Sequence, residues 1–150
     1  MSSGFKVERF THVPAEQIYD RLADVASWSQ WATTVSRSLL VQVGGTDPLG
    51  AGAIRRMSSL RNRFTVDEEI LAATRPSFQR YTLRGLPATD YVGQVHIHED
   101  GGRTHILWTA DFRPKIPGTG WAMGKFLGLS ISRIADDLIA ACERAAINDV

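Results

Sequence analysis

Hydrophobic periodicity divides the chain into an early strand, two short helices, about six further strands and one long C-terminal helix. The predicted strands cover 5–13, 38–43, 53–60, 63–71, 78–84, 91–98 and 104–112. Strands that follow one another through short connections form an antiparallel sheet, and the long helix from about Thr119 must cover its apolar face. At 150 residues, the sequence predicts one α+β domain over residues 1–150.

The two short helices are predicted directly after the first strand. Pro14 is tolerated in a first helical turn, and Ile18, Leu22 and Val25 recur at helical spacing. The next segment, 27–33 (SWSQWAT), is predicted to form the second short helix and carries two of the four tryptophans.

The segment 91–112 carries the strongest hairpin signal in the chain. A two-residue type I′ turn at Asp100-Gly101 would pair His96 with His105 and place Gly93 opposite Trp108, with room for the indole. The more apolar face should point inward, and it consists of Tyr91, Gly93, Val95, Ile97, Thr104, Ile106, Trp108, Ala110 and Phe112.

Three histidines on the other face of this hairpin have the composition of a metal site. Neutral imidazoles from His96, His98 and His105 could bind zinc and leave one coordination position open. The predicted register places all three on the polar side of the sheet, so we expect exposed strand residues and no metal site.

Four segments resemble the START-like/Bet v 1-like (SRPBCC) superfamily, in its polyketide cyclase/dehydratase and lipid-transport branch. They are VPAEQIYDRLADVASWSQW (13–31), PLGAGAIRRM (48–57), GLPATDYVG (85–93) and GGRTHILW (101–108). The first is the most specific, although Val13 stands where alanine is commoner. The resemblance implies a helix-grip fold, in which a curved antiparallel sheet of six or seven strands wraps around the C-terminal helix and encloses a cavity. Function in such folds depends on the cavity lining.

The resemblance also implies a role for Trp28 and Trp31. The short helices of such a fold lie at one end of the sheet, where large aromatic side chains bury much apolar area. We expect both tryptophans to be structural, with ligand contact by one of them as the alternative.

The buried face of the long helix is predicted from a spacing of three or four residues. It consists of Leu127, Ile131, Ile134, Leu138, Cys142 and Ala145. Arg133 and Asp137 are four residues apart and should form an exposed pair of little energetic value. A thiol on the buried face, such as that of Cys142, is expected to be inert.

Glycines at 120, 124 and 128 form a stripe in the first half of this helix. Each glycine inside a helix costs about 1 kcal/mol relative to alanine. Four explanations remain open: close approach to the sheet, space for a ligand, a dimer contact, or a helix that begins after residue 124. Trp121, Met123 and Phe126 could form a lid at the cavity mouth.

Strand 63–71 holds the best candidate for acid–base chemistry. The period of two places Glu68 on the same face as Val66 and Ile70, and burial there would raise the pKa of its carboxyl. The alternative is a carboxylate that reaches solvent or forms a structural ion pair with Arg55 or Arg56, one of which should face inward.

Tyr81 is predicted to point inward together with Leu83, and with Tyr91 it could place a phenol in the cavity. The catalytic candidates are therefore Glu68, Tyr81 and one of the two arginines. The candidate ligand-binding residues are Val66, Ile70, Leu83, Tyr91, Val95, Ile106, Trp108, Trp121, Met123, Phe126, Leu127, Ile131 and Ile134.

These residues favour a protein that binds a small apolar or aromatic ligand, such as a lipid or a polyketide, without a metal or other cofactor. One alternative is a cyclase, aromatase or dehydratase that uses an acid–base pair in the cavity. A second alternative is a partner-binding assembly factor, which an exposed apolar patch at 121–129 would favour.

Composition and charge limit the other classes of function that this protein could have. The net charge of +1 and interspersed signs argue against nucleic-acid binding, and no apolar run approaches a membrane span. One cysteine and no secretory signal favour a cytoplasmic protein. We expect a monomer or a homodimer.

Overall fold

The computed structural model describes residues 3–148, which form one antiparallel sheet, two short helices and one long helix. In chain order the elements are β1 (Ser3–Thr11), α1 (Ala15–Ala23), a 3-10 turn (Val25–Ser27), α2 (Trp28–Trp31), β2 (Val35–Gln42), β3 (Ile54–Ser59), β4 (Phe64–Thr74), β5 (Phe78–Arg84), β6 (Ala88–Asp100), β7 (Arg103–Pro114) and α3 (Gly120–Asn148). The predicted element types and their order are confirmed.

All seven strands belong to one sheet in the order β1-β7-β6-β5-β4-β3-β2. Each neighbouring pair is antiparallel, and register shifts interrupt the pairing in β2, β4 and β6. Such bulges bend a strand and increase its twist, which curves the sheet toward α3. The predicted α+β helix-grip fold is confirmed.

Helix α3 packs chiefly on the edge strand β1, and its glycines allow this approach. A Cβ added to Gly124 would lie 2.7 Å from the Gly4 carbonyl oxygen, and one added to Gly120 would collide with the Ser3 hydroxyl. The glycine stripe therefore reflects close contact with the sheet, and the helix begins at Gly120. Although α3 has 29 residues, no helix within residues 3–148 is long and apolar enough to cross a membrane.

The β6–β7 hairpin has the predicted inward face but a different register. The two turn residues are Gly101 and Gly102, with φ of 59° and 77°, because glycine adopts positive φ at both positions without strain. Asp100 consequently pairs with Arg103. The expected turn at Asp100-Gly101 was wrong by one residue.

The observed register gives Gly93 a different partner from the predicted one. Gly93 pairs with Ala110, and Trp108 lies opposite Val95, so the expected pairing of Gly93 with Trp108 was wrong. A Cβ on Gly93 would collide with the ring of Tyr81 on the neighbouring strand. The space at Gly93 is therefore filled by a phenol.

Trp28 and Trp31, the two tryptophans of the 27–33 segment, are both buried, as predicted. Their rings lie 5.5 Å apart, and the Trp28 indole donates a hydrogen bond to the Leu22 carbonyl at 3.0 Å. Trp28 also contacts Trp108 edge-on at 6.4 Å, so the short helices are joined to the sheet through aromatic packing.

The predicted Arg133–Asp137 pair is present, and both side chains also form hydrogen bonds with Thr33 outside the helix. Asp137 accepts hydrogen bonds of 2.8 Å from both the backbone N–H and the hydroxyl of Thr33. Arg133 donates to the same hydroxyl at 3.0 Å. These bonds attach α3 to the segment between α2 and β2.

We expect Gly124→Ala to destabilise the fold by about 1–3 kcal/mol, because the new methyl group meets the Gly4 backbone and forces α3 away from β1. Alanine in an unobstructed helix would instead stabilise. Urea unfolding followed by circular dichroism measures the change. Lys125→Ala, on the exposed side of the same turn, is the control and should change stability by less than about 0.5 kcal/mol. A more stable Gly124→Ala variant would contradict the close packing of α3 on β1.

Candidate functional site

A cavity of about 540 Å³ opens between α3 and the half of the sheet that α3 does not touch closely. Its volume lies in the range typical of small-molecule sites. It is lined by Trp28, Thr33, Thr34, Val35, Ser36, Met57, Ser58, Ser59, Leu60, Arg61, Phe64, Val66, Glu68, Tyr81, Leu83, Leu86, Trp108, Phe126, Leu127, Ser130, Ile131 and Ile134. The lining is mainly apolar, and it holds two ionisable groups of opposite charge, Glu68 and Arg61.

Nine of the candidate residues line this cavity. They are Glu68, Tyr81, Val66, Leu83, Trp108, Phe126, Leu127, Ile131 and Ile134. The period of two predicted the inward direction of the strand residues, and helical spacing predicted the inward face of α3.

Six other candidates do not line the cavity. Ile70, Tyr91, Val95 and Ile106 point inward but lie in the packed core, where neighbouring side chains fill the space. Tyr91, for example, stacks on Phe112 at 5.8 Å. Met123 is half-buried against the core, and Trp121 is 76% exposed. The expected lid of Trp121 and Met123 is therefore absent from the cavity mouth, and Phe126 alone of the three reaches it.

Arg55 and Glu68 form a buried ion pair at the cavity wall. They face each other across β3 and β4, the Arg55 guanidinium contacts the Glu68 carboxylate directly, and both side chains are almost inaccessible to solvent. Arg55 also donates to the Leu22 carbonyl at 3.0 Å and lies 5.1 Å from the Trp28 ring centroid. Arg55 itself lies behind Glu68 and does not line the cavity.

Arg56 faces the opposite side of the sheet and pairs with Asp67 on the surface at 2.8 Å. It is therefore excluded from the cavity. Arg55 alternates in phase with the buried apolar residues Ala53 and Met57. The period of two could therefore have identified Arg55 as the arginine that faces inward.

Burial raises the pKa of the Glu68 carboxyl, and the positive charge of Arg55 opposes part of that rise. The folded protein consequently holds the proton of Glu68 more tightly than the unfolded chain does. Its contribution to stability falls as pH rises from the ordinary value of 4.5 through the raised pKa.

Tyr81 presents its phenol to the same cavity. The Trp108 indole donates a hydrogen bond of 2.7 Å to the phenolic oxygen. Burial, and next the nearby Tyr91, raise the pKa of Tyr81 well above its usual value, so the phenol is neutral. Ile70 pairs with Tyr81 and Glu68 with Leu83, so Glu68 and Tyr81 are diagonal neighbours on β4 and β5.

Sequence patterns missed the polar end of the cavity. Two segments form it: residues 33–36, which lead from α2 into the start of β2, and residues 58–61, which lead from the end of β3 into the next turn. They are adjacent because Val35 pairs with Ser59. Residues in connections follow no hydrophobic period, so only the strand pairing identifies them.

The three histidines lie on the sheet face away from α3, as the parity predicted. His105 Nε2 lies 2.6 Å from a Glu8 carboxylate oxygen, and the ring stacks on Phe10 at 4.7 Å. His96 bonds Gln94 at 3.0 Å. His98 pairs with His105 in the observed register and His96 with Leu107, so the expected pairing of His96 with His105 was wrong.

An antiparallel helix-grip domain with an apolar cavity defines a class of ligand-binding folds. The chain belongs to the family described as polyketide cyclase/dehydrase and lipid transport, which matches residues 4–146. A search of curated proteins found no match.

Solved structures share this architecture at low sequence identity. A START superfamily protein from Mycobacterium smegmatis has a TM-score of 0.80 at 16% identity, covering 95% of this chain and 99% of that one. Norcoclaurine synthase from Thalictrum flavum, in complex with a transition-state analogue, has a TM-score of 0.76 at 11% identity, with 97% of both chains covered. The ZhuI aromatase/cyclase from Streptomyces sp. R1128 has a TM-score of 0.74 at 14% identity, with 97% and 96% covered. These similarities establish the fold.

We expect Arg55→Met to lower the free energy of unfolding by about 3–5 kcal/mol at about pH 8, because Glu68 is left charged and unpaired in the interior. Without the cation the pKa of Glu68 rises further, so the loss should be smaller at about pH 5, where the carboxyl can bind a proton. Urea unfolding at both pH values measures this difference.

Arg56→Met is the matched control, since its pair with Asp67 lies on the surface and contributes little. Arg55→Met combined with Glu68→Met should recover most of the loss. An equal loss at both pH values would contradict an unpaired carboxylate as its cause.

Proposed function

We propose that this protein binds a small apolar or aromatic ligand, such as a lipid or a polyketide, between α3 and the sheet. The observation that carries the proposal is the cavity of about 540 Å³ with a mainly apolar wall. Aliphatic side chains from α3 and from β4–β5 face each other across it, and Trp28 and Trp108 form aromatic surfaces at its inner side. The family assignment supports this proposal, since lipid transport is one of the activities in its description.

The ligand should bind mainly through burial of apolar surface. The polar minority of the lining consists of hydroxyl groups, Arg61 and Glu68, so directional contacts are few. Such a site selects ligands by size and shape.

Ile131→Trp should weaken binding of the neutral fluorophore N-phenylnaphthylamine at least about tenfold, because the indole occupies the cavity. Fluorescence titration measures the affinity, and energy transfer from Trp28 and Trp108 reports proximity. Leu129→Trp is the control: residue 129 lies on the same helix, is 66% exposed and does not line the cavity. Equal affinity of the two variants would place the fluorophore elsewhere and contradict the proposal.

A cyclase or dehydratase is the second candidate, and the buried Glu68 beside Tyr81 is the observation that favours it. An ionised Glu68 would take a proton from a carbon next to a ketone, and that carbon would attack a second carbonyl group in the same chain. Tyr81 would donate its proton to the carbonyl oxygen, forming a hydroxyl group. That group would then leave as water with a proton from the adjacent carbon, and the proton taken by Glu68 would return to Tyr81, which restores both side chains. Arg55 would act by holding the Glu68 carboxylate in place.

Native mass spectrometry after incubation with an extract of the source cells separates the two candidates. If Glu68 drives condensation and water loss, Glu68→Gln should retain a species heavier by one water molecule than the species bound to the wild type. Asp67→Asn, the adjacent residue on the outer face of β4, is the control and should match the wild type. The same bound mass in all three proteins would contradict the enzyme hypothesis and would still be compatible with the proposed binding function.

The partner-binding alternative has one supporting feature. Trp121, Phe126 and Leu129 of α3 are 76%, 56% and 66% exposed, so the apolar patch expected for that alternative is present. Phe126 also reaches the cavity, so the patch borders the ligand site.

A further inference from the structure

The cavity that the proposed function assigns to a ligand is polar at one end and apolar at the other. Thr33, Thr34 and Ser36 meet Ser59 and Arg61 where β2 begins and β3 ends. We call this end the polar rim. The rest of the lining is mainly apolar: Trp108 is fully buried, Val66 and Leu83 are half-buried, and the buried polar members include Glu68 and Tyr81.

The two charges of the lining differ in how they are compensated. Glu68 is neutralised by Arg55 inside the protein. Arg61 lies at the polar rim, and none of the described residues forms an ion pair with it. Arg37 and Arg63 lie nearby on β2 and on the same turn, and neither has a carboxylate partner among residues 3–148. The one carboxylate bonded to the rim, Asp137 at Thr33, is paired with Arg133, so Arg61 is the lining charge without an ion-pair partner among residues 3–148.

The turn that carries Arg61 is held in an unusual conformation. Leu60, Arg61 and Asn62 have φ of 52°, 57° and 67°, which residues other than glycine seldom adopt. Ser36 stabilises the turn: its hydroxyl donates to the Asn62 side chain at 2.8 Å and accepts from the Asn62 backbone N–H at 3.1 Å. This conformation places both Leu60 and Arg61 on the cavity.

We propose that the ligand is an anionic amphiphile, with a carboxylate or a group of similar charge, whose apolar part enters first and whose anionic group remains at Arg61. This inference rests on the proposed binding function and adds the charge and the orientation of the ligand. A guanidinium forms strong, directional hydrogen bonds with carboxylates. An anion beside Glu68 would lose its hydration without an uncompensated cation to pair with, because Arg55 is already paired.

Three probes of equal chain length test the proposal: dodecanoate, dodecanol and dodecylammonium, each displacing N-phenylnaphthylamine below its micelle concentration. At slightly alkaline pH the wild type should prefer dodecanoate over dodecanol by about fivefold or more, and dodecylammonium should bind most weakly. The preference should decrease at high salt because the rim is exposed.

Arg61→Gln should reduce the preference for dodecanoate over dodecanol to near unity. Arg61→Lys keeps the charge and should retain part of the preference. Arg63→Gln is the matched control, because Arg63 belongs to the same turn and does not line the cavity. Circular dichroism verifies that each variant is folded.

The outcomes separate this inference from the proposed function. If dodecanol binds as tightly as dodecanoate, or if Arg61→Gln keeps the preference, the anionic ligand class is wrong and the apolar site stands. If Arg63→Gln loses the preference for dodecanoate as fully as Arg61→Gln does, a diffuse positive field explains the preference. The proposed specific contact with Arg61 is then wrong. If neither the fluorophore nor any probe binds, both proposals fail.

Discussion

The close contact of α3 with β1 determines where this protein can hold a ligand. Gly120 and Gly124 remove the side chains that would separate the helix from the strand, so α3 rests on one edge of the curved sheet. The far half of the sheet curves away from the helix, and the cavity occupies the space that results. Side chains of ordinary size in the glycine stripe would move the helix toward the centre of the sheet and reduce that space. Glycine lowers the stability of the helix, and the same glycines allow the close packing that leaves the cavity open.

The Arg55–Glu68 pair is the second element on which the cavity depends. It joins β3 to β4 by a charge pair and joins both to α1 through the Leu22 carbonyl. Removing two charges from water is costly, and a buried ion pair seldom contributes more to stability than apolar residues of similar volume. The pair lies beside the cavity, where it places a neutralised polar group in a mainly apolar wall. Tyr81, with its hydroxyl fixed by Trp108, adds a neutral donor next to it.

The family and the solved structures define the architecture, and the lining residues define the chemistry. At 11–16% identity, the norcoclaurine synthase, the aromatase/cyclase and the START protein share the sheet and helices with this chain. What separates one such protein from another is the set of side chains between α3 and β2–β5. Here that set combines an interior of aliphatic and aromatic residues with a cationic rim at the β3–β4 turn.

The sequence by itself determined the elements and the faces of the strands, because a period of two or of 3.6 is a local property. It predicted that Tyr81 and Trp108 point inward, that Glu68 shares a face with Val66 and Ile70, and that Ile131 and Ile134 face the sheet. It also contained the alternation that places Arg55 inward. It did not determine the hairpin register, where a shift of two residues in pairing keeps every inward residue inward. Only the tertiary structure decided which inward residues meet the cavity. Tyr91 and Val95 obey the same period as Tyr81, yet they lie under packed neighbours, whereas Arg61 follows no period and lies at the rim. The distance between helix and sheet at each position makes this difference, and no local pattern encodes that distance.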